Sequence, residues 1–314
     1  MLQSYIPERS MDEYSLIAEA QQFRPELAFE DLQHDLLQTL VQKEGIAKAM
    51  AVFYAKLIYN SRSQEFIKNL KQIEFDFSSL PQISGEVWVI PAGFYRDIPE
   101  FDGDGSLIRK ICGHFGLNSR LVAVNPKGSV SENAEFIIAE LCKHNTKPII
   151  AFSISKGAAD LRIALERRPD LQSKIQAWVC IGGLLRSNPI ADAMLKKKGV
   201  KKFLQKSVMQ LLGIPLEFLS EFSSKTGILN AELNIHIKQQ ISVIALPLAS
   251  HMQGNILKRF KVLSRYGPND GYTLSLDSVL PKGFVYPLWG ADHYFRSSQL
   301  NETLYKIFYY LGQT

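Results

Sequence analysis

From residue 73 onward, short runs rich in β-branched residues alternate with helical stretches, and this alternation limits the fold more than any other feature. Strands separated by helices of about ten to fifteen residues form βαβ units, in which the strands are parallel and the connections right-handed. The sequence therefore predicts an α/β fold, with a mostly parallel sheet flanked by helices. The predicted strands are Glu86–Ile90, Arg120–Val124, Pro148–Ser153, Ile175–Ile181 and Ile241–Leu246, and the predicted helices include Leu107–Phe115, Ser131–His144 and Lys156–Arg168.

Two predicted helical segments lie outside this alternation. Residues 10 to about 72 carry apolar side chains at the spacing of one helix face. Residues 186–238 are also mostly helical, and a segment of that length between two strands is too long for a loop without structure of its own. We therefore divide the chain into an N-terminal helical extension (1–80) and an α/β domain (81–314), with a helical cap at about 186–238.

A serine lies on a tight turn between a predicted strand and a predicted helix, in the segment Ser153-Ile-Ser-Lys-Gly. Such a turn exposes the serine at the carboxyl edge of the sheet, and it needs small residues two positions before and after that serine. The helix start behind it supplies positive partial charge. These features predict that Ser155 is a nucleophile. The alternative is an ordinary strand-to-helix turn that contains two serines.

With this turn, three further stretches resemble the α/β-hydrolase superfamily, and among its members the bacterial lipases and esterases. Residues 87–94 are similar to the strand and turn that supply an oxyanion donor, and residues 182–192 to a lipase segment that follows a strand. The late turns at residues 268–271 and 290–293 are similar to the acid and histidine turns. The resemblance covers about residues 84–300 and implies an α/β-hydrolase fold.

The resemblance implies a catalytic triad in the chain order serine, acid, histidine, which Ser155, Asp270 and His293 satisfy. The other five histidines lie in predicted helices, in the cap, or before the acid. Asp270 is favoured because the turn Pro-Asn-Asp-Gly can aim a carboxylate from a loop. Its rivals are Asp277, seven residues later, and Asp292, next to the histidine.

The resemblance also implies that the backbone N–H groups of Phe94 and Lys156 bind the oxyanion. Phe94 ends an Ala-Gly-Phe turn that stands where the family usually has His-Gly-x. The Lys156 side chain is expected to point to solvent and to pair with Asp160, four residues later on the same helix.

The position of the acid leaves one question open. In the α/β-hydrolase family the acid follows a strand directly, whereas the predicted strand Ile241–Leu246 ends some 24 residues before Asp270. Either Phe260–Ser264 is the strand that precedes the acid, or an insertion lies between the strand and the acid. The sequence favours neither.

These residues predict a serine hydrolase that cleaves an acyl ester, as an esterase or lipase does. The alternatives are an acyltransferase or thioesterase that uses the same triad, and a non-catalytic binding protein of the same fold. No cofactor or metal is expected, because the sequence has no phosphate-binding loop and no Cys or His ligand spacing. A net charge of +5 is too small to indicate nucleic acid.

A basic stretch in the cap suggests a second kind of partner. Five lysines lie between Lys196 and Lys202, and the apolar run Val208–Leu219 follows. Such a pattern predicts transient contact with an anionic membrane surface, the alternative being a solvated helix end. The start of the sequence has no signal-peptide pattern and no apolar run reaches about 18 residues, so a cytoplasmic location with reduced cysteines is expected.

Overall fold

The computed structural model describes residues 11–74, 80–98, 101–145, 147–196 and 216–313. Its helices are α1 (Met11–Gln21), α2 (His34–Glu44), α3 (Ile46–Ile58), α4 (Ser61–Gln72), α5 (Ser106–His114), α6 (Val130–Lys143), α7 (Lys156–Arg167), α8 (Pro189–Leu195), α9 (Leu216–Glu221), α10 (Gly254–Leu263) and α11 (Ser298–Leu311). Its strands are β1 (Glu86–Ile90), β2 (Ser119–Leu121), β3 (Ile149–Ile154), β4 (Ile175–Ile181), β5 (Gln239–Leu246) and β6 (Phe284–Trp289).

The chain divides into two compact units. One unit spans residues 84–240, and the other combines the described residues up to Ile83 with those from Ile241 onward. Strands alternate with helices along both, so the predicted α/β class is confirmed. None of the helices in the described ranges is long and apolar enough to cross a bilayer.

The unit of residues 84–240 contains four parallel strands in the order β2-β1-β3-β4. Every residue of β3 is buried, as expected of a central parallel strand covered on both faces. The register places Ile90, the last residue of β1, opposite Ser153 of β3. The turns that follow β1 and β3 therefore begin at the same edge of the sheet.

Two helices of this unit pack side by side and reach the same edge. Helix α6 begins one residue before its predicted start, and the Ser129 hydroxyl caps it by accepting a hydrogen bond from the Glu132 amide at 3.0 Å. Helix α7 begins at Lys156, directly after the predicted nucleophile, and it is buried from its first residue to Leu165.

The described ends of the predicted cap are held in place by polar contacts. The Asp192 carboxylate accepts hydrogen bonds from the Ser223 hydroxyl (2.8 Å) and the Ser224 amide (3.1 Å). The Glu221 carboxylate accepts from the first two amides of α6, at 2.6 and 2.9 Å. Residues 197–215, which include Lys197 to Lys202 and most of the apolar run, lie outside the described residues.

A buried arginine of α7 joins both ends of this segment. Arg162 is fully buried, and its guanidinium donates hydrogen bonds to the carbonyl oxygens of Leu185, Leu229 (3.1 Å) and Ala231 (2.7 Å). Its Nε donates to the Glu166 carboxylate at 2.9 Å. One side chain therefore satisfies backbone carbonyls on both sides of the undescribed residues 197–215.

In the other unit, β5 and β6 are parallel neighbours, with Ile244 opposite Pro287. The alternative that placed a strand at Phe260–Ser264 is wrong, because residues up to Leu263 belong to α10. An insertion that contains this helix therefore separates β5 from Asp270.

The N-terminal helices of this unit pack against β6. Helix α3 contacts β6, and its residues from Ala49 to Leu57 are buried. In α4, the Ser63 hydroxyl accepts a hydrogen bond from the Val285 amide at 3.0 Å, and the Phe66 ring stacks on Phe284 at 4.8 Å. Strand β6 is therefore held by residues far away in the sequence.

A buried carboxylate fixes α1 near the end of β6. Glu13 accepts hydrogen bonds from the Trp289 indole at 2.7 Å and from His251 Nε2 at 3.2 Å. The Leu248 amide donates to His251 Nδ1 at 2.9 Å, so Nε2 carries the proton that Glu13 accepts. Two side-chain donors thus depend on this one carboxylate.

Replacing that carboxylate should destabilise the protein. Trp289 and His251 donate to different oxygens of the Glu13 carboxylate, and in a Glu13→Gln variant an amide NH2 group replaces one of these oxygens, so one buried donor loses its acceptor. We expect the free energy of unfolding to fall by about 1–3 kcal/mol, measured by chemical denaturation. The matched control on the same helix is Glu19→Gln, whose exposed carboxylate pairs with Lys48; it should change stability by less than about 0.5 kcal/mol. Equal losses in the two variants would contradict the prediction.

Candidate active site

Ser155 lies between the last residue of β3 and the first residue of α7, in a conformation that side-chain-bearing residues rarely adopt. Its backbone φ is 50° and its ψ is −118°. The turn is fixed from both sides, because the Ser155 amide donates to the Ile181 carbonyl and the Ser155 carbonyl accepts from the amides of Ala158 and Leu184, all at 3.0–3.1 Å. Strained backbone that is held in this way is common at catalytic positions.

A glycine is required two residues after Ser155. A Cβ atom on Gly157 would lie 2.5 Å from the carbonyl oxygens of both Ile90 and Pro91. The first turn of α7 therefore packs backbone against backbone on the end of β1. This contact explains the small residue that the sequence places at this position.

The serine two residues before Ser155 has its own partner. Ser153 is fully buried, and its hydroxyl accepts a hydrogen bond from the Trp178 indole of β4 at 2.7 Å. The turn tolerates this side chain because it faces the neighbouring strand. The sequence contained both residues but gave no sign that they meet.

The predicted oxyanion donor Phe94 also has a positive φ, of 57°. Its amide has another acceptor in this structure, because it donates to the Pro126 carbonyl oxygen at 2.9 Å. Phe94 can therefore donate to an oxyanion only if it exchanges this bond. The other predicted donor, Lys156, is the first residue of α7, where helix amides have no acceptor within the helix.

The expectation that the Lys156 side chain points to solvent is wrong, whereas its pairing with Asp160 is confirmed. Both side chains are buried, and Lys156 Nζ lies 2.6 and 2.9 Å from the two carboxylate oxygens of Asp160. The Asn133 side-chain amide donates to the same carboxylate at 2.8 Å. Burial raises the pKa of the Asp160 carboxyl, and the Lys156 ammonium opposes this shift.

Asp270 and His293 form a buried pair within one unit. His293 Nδ1 lies 2.8 Å from Asp270 Oδ2, and each residue is about 3% exposed. The other carboxylate oxygen accepts hydrogen bonds from the amides of Tyr272 (2.9 Å) and Thr273 (2.7 Å). The carboxylate is therefore fixed by its own turn while it holds the imidazole in one orientation.

Both rival acids have other partners. Asp277 Oδ1 lies 2.9 Å from Nε2 of His34 in α2. Asp292 forms an ion pair with Arg296 and accepts a hydrogen bond from the Tyr294 amide at 3.0 Å. Of the three carboxylates weighed from the sequence, the structure brings Asp270 to His293.

An aromatic stack against the histidine was not predicted. The Tyr272 ring lies 4.7 Å from the His293 ring at an interplanar angle of 28°, and the Arg259 guanidinium lies 4.1 Å from the Tyr272 ring centre. Burial lowers the pKa of Arg259. The tyrosine hydroxyl is hydrogen-bonded to that of Tyr294 at 2.9 Å. Only the position of Tyr272, two residues after the predicted acid, could have indicated this contact.

The described residues include no group of three or more His, Cys, Asp or Glu side chains placed to hold a metal ion.

The close approach at Gly157 yields a stability prediction. In a Gly157→Ala variant the new methyl group would overlap two carbonyl oxygens, so β1 or α7 must shift. We expect a loss of about 1–3 kcal/mol in the free energy of unfolding, measured by urea denaturation. The control is Gly113→Ala in α5, where a Cβ meets nothing within 4 Å, and it should raise stability by up to about 1 kcal/mol. An unchanged stability for Gly157→Ala would contradict the close approach.

The fold is similar to those of solved ester-cleaving enzymes. The chain matches the metagenomic carboxyl esterase MGS0156 with a TM-score of 0.61 and 18% sequence identity, over 75% of this chain and 77% of the esterase. It matches the mature form of the Bacillus licheniformis lipase BlEst2 with a TM-score of 0.50 and 15% identity, over 72% of this chain and 92% of the lipase. No protein-family model and no curated protein sequence matches it. On this structural evidence, the chain has the α/β-hydrolase fold.

Proposed function

We propose that the protein is a serine hydrolase that cleaves an acyl ester, with Ser155, His293 and Asp270 as its catalytic triad. The observation that carries the proposal is the conformation of Ser155. A residue other than glycine is held at φ 50° where a buried parallel strand turns into a helix, the place where this fold presents a nucleophile. Such strain persists because the surrounding contacts maintain it.

In the proposed reaction, the Ser155 hydroxyl attacks the ester carbonyl carbon while His293 accepts the hydroxyl proton. Asp270 is bonded to Nδ1 of the imidazole, so Nε2 is the atom that exchanges the proton. The protonated imidazole then gives this proton to the departing alcohol, which leaves an acyl group on Ser155. Water resolves the acyl-enzyme by the same steps in reverse order.

The tetrahedral intermediate needs a donor for its oxyanion. We assign this role to the Lys156 amide, which adjoins the nucleophile at the positive end of α7. The Phe94 amide is the second donor once it leaves the Pro126 carbonyl. A single donor of this kind is typically worth about 3 kcal/mol of transition-state stabilisation.

Two solved structures of the same fold support an ester as the substrate, since one is a carboxyl esterase and the other a lipase. An acyltransferase or thioesterase would use the same acyl-enzyme, and the two outcomes differ only in the nucleophile that resolves it. The proposed membrane contact of the stretch Lys196–Lys202 rests on the sequence, since only Lys196 of these lysines is within the described residues.

Labelling with a fluorophosphonate tests the nucleophile. The wild-type protein should be labelled at Ser155, located by mass spectrometry of the peptides, and hydrolysis of aryl esters should accompany it. Ser155→Ala should abolish labelling and lower kcat by about 10³-fold or more. The matched control is Ser153→Ala, which removes the other serine of the same turn and should keep labelling at Ser155. A label on a different serine, or none on folded protein, would overturn the proposal.

A comparison of two aspartates tests the acid. Asp270→Asn should lower kcat for an aryl ester by about 10²–10⁴-fold, because the amide no longer stabilises the imidazolium and can favour the wrong tautomer. Asp277→Asn is the matched control, since it is the rival acid, it is also buried, and its partner is His34. It should retain activity within about threefold. The reverse ranking would transfer the role of acid to Asp277.

A further inference from the structure

The Lys156 side chain lies beneath the turn that follows β1. A Cβ atom on Gly93 would lie 3.0 Å from Lys156 Cδ and 3.4 Å from its Cβ, so the backbone at Gly93 packs directly on the lysine's alkyl chain. The end of this chain is held by Asp160, which accepts from Nζ with both carboxylate oxygens. Because Nζ is fixed, the alkyl chain that contacts Gly93 is fixed as well.

The same carboxylate is connected to the other side of the turn. Asn133 of α6 donates from Nδ2 to Asp160 at 2.8 Å and to the Asn125 carbonyl at 3.0 Å, and its Oδ1 accepts from the Asn125 amide at 3.1 Å. Asn133 is 2% exposed. This single side chain therefore ties residue 125 to the buried ion pair.

Residue 125 leads directly to the acceptor of the Phe94 amide. The next residue is Pro126, whose carbonyl oxygen accepts from Phe94 at 2.9 Å. The contacts thus form a closed ring, from Lys156 through Asp160 and Asn133 to the 125–126 segment, and back through the Gly93–Phe94 turn to Lys156. Every member belongs to the unit of residues 84–240.

A buried ion pair is a poor way to gain stability, because desolvation of the two charges offsets most of their attraction. Well-packed apolar side chains of similar volume are often equally stable at such positions. An ion pair with a hydrogen-bonded amide partner fixes the positions of the atoms that form it. Here it fixes the two backbone segments that contain Phe94 and Lys156.

We infer that Lys156 and Asp160 are positioning residues, which with Asn133 hold the Gly93–Phe94 turn in place, so that the Phe94 amide can exchange the Pro126 carbonyl for the oxyanion while the turn stays packed on Lys156. The inference rests on the proposed function for its catalytic consequence. Lys156 then serves the oxyanion site in two ways. Its side chain positions the Phe94 amide, and its own backbone amide is the other donor.

The test replaces the pair by apolar residues of similar volume, in the double variant Lys156→Met/Asp160→Leu. Because no charge is left unpaired, the melting temperature should stay within about 5 °C of the wild type, whereas Asp160→Leu alone should be strongly destabilised. In the folded double variant, kcat for an aryl ester should fall at least about tenfold while KM changes less than about threefold. A double variant with both the kcat and the stability of the wild type would overturn the inference.

Amide hydrogen exchange tests the same point without catalysis. Exchange at Phe94 should be at least about tenfold faster in the double variant, because the ring that holds its hydrogen bond is broken. Unchanged exchange at Phe94 would overturn the positioning role even if activity fell. If the wild type fails to label at Ser155, the proposed function fails, and exchange at Phe94 still decides whether the pair holds the turn.

Two further variants serve as a replacement for the double variant and as a control. Asp160→Asn keeps the shape of the side chain but replaces one acceptor oxygen by an amide donor, so at least one of the hydrogen bonds from Lys156 Nζ is lost. It replaces the double variant if that protein does not fold, with the same expected changes in kcat and exchange. Lys143→Met removes an exposed lysine of α6 that pairs with Glu140, and it should leave kcat and Phe94 exchange unchanged.

Discussion

The first turn of α7 lies so close to the end of β1 that a side chain at residue 157 would overlap two carbonyl oxygens. This approach fixes the turns that follow β1 and β3 relative to each other. It brings the turn after β1 against the start of the helix, so that Gly93 rests on Lys156. It also requires the chain to reverse direction within one residue after β3, and Ser155 is the residue that takes the strained conformation.

Within each of the two units, buried carboxylates act as fixed points. Asp270, Asp160 and Glu13 are each nearly inaccessible, and each accepts at least two hydrogen bonds from different groups. A buried charge without such partners would cost several kcal/mol, so these acids are only stable when their donors are correctly placed. Each one therefore selects a single arrangement of the groups that donate to it, which packing of apolar residues alone does much less strictly.

The features that the sequence predicted well are those that local chemistry determines. Strands β1 and β4 have the predicted bounds, and the Ser-x-Gly turn has the predicted strand before it and helix after it. The turn Pro-Asn-Asp-Gly was predicted to aim a carboxylate from a loop, and the Asp270 carboxylate accepts hydrogen bonds from amides only two and three residues later. Such contacts depend on neighbours in the chain, and composition and spacing reveal them.

Of the features that were not predicted, two depend on distant residues, and one was left open because its local pattern is ambiguous. Phe260–Ser264 alternates apolar and polar residues like a strand over a few positions, whereas the longer spacing of Ile256, Phe260 and Leu263 is helical, and these three side chains are buried together on one face of α10. The pairing of Lys156 with Asp160 follows from their spacing, but its burial depends on Asn133 and Gly93 and is invisible in the local sequence. The hydrogen bond from Phe94 to Pro126 is non-local in the same way.

The buried guanidinium of Arg162 has a consequence for how this fold can diversify. Because the guanidinium donates to the carbonyls of Leu185, Leu229 and Ala231, the two ends of the intervening segment are anchored to α7. The ends meet at this anchor whatever the length of the chain between them. Segments of different length and composition can therefore be exchanged between these points while the core keeps its register. Grafting at this anchor is therefore a route to chimeras that carry a different segment on an unchanged scaffold.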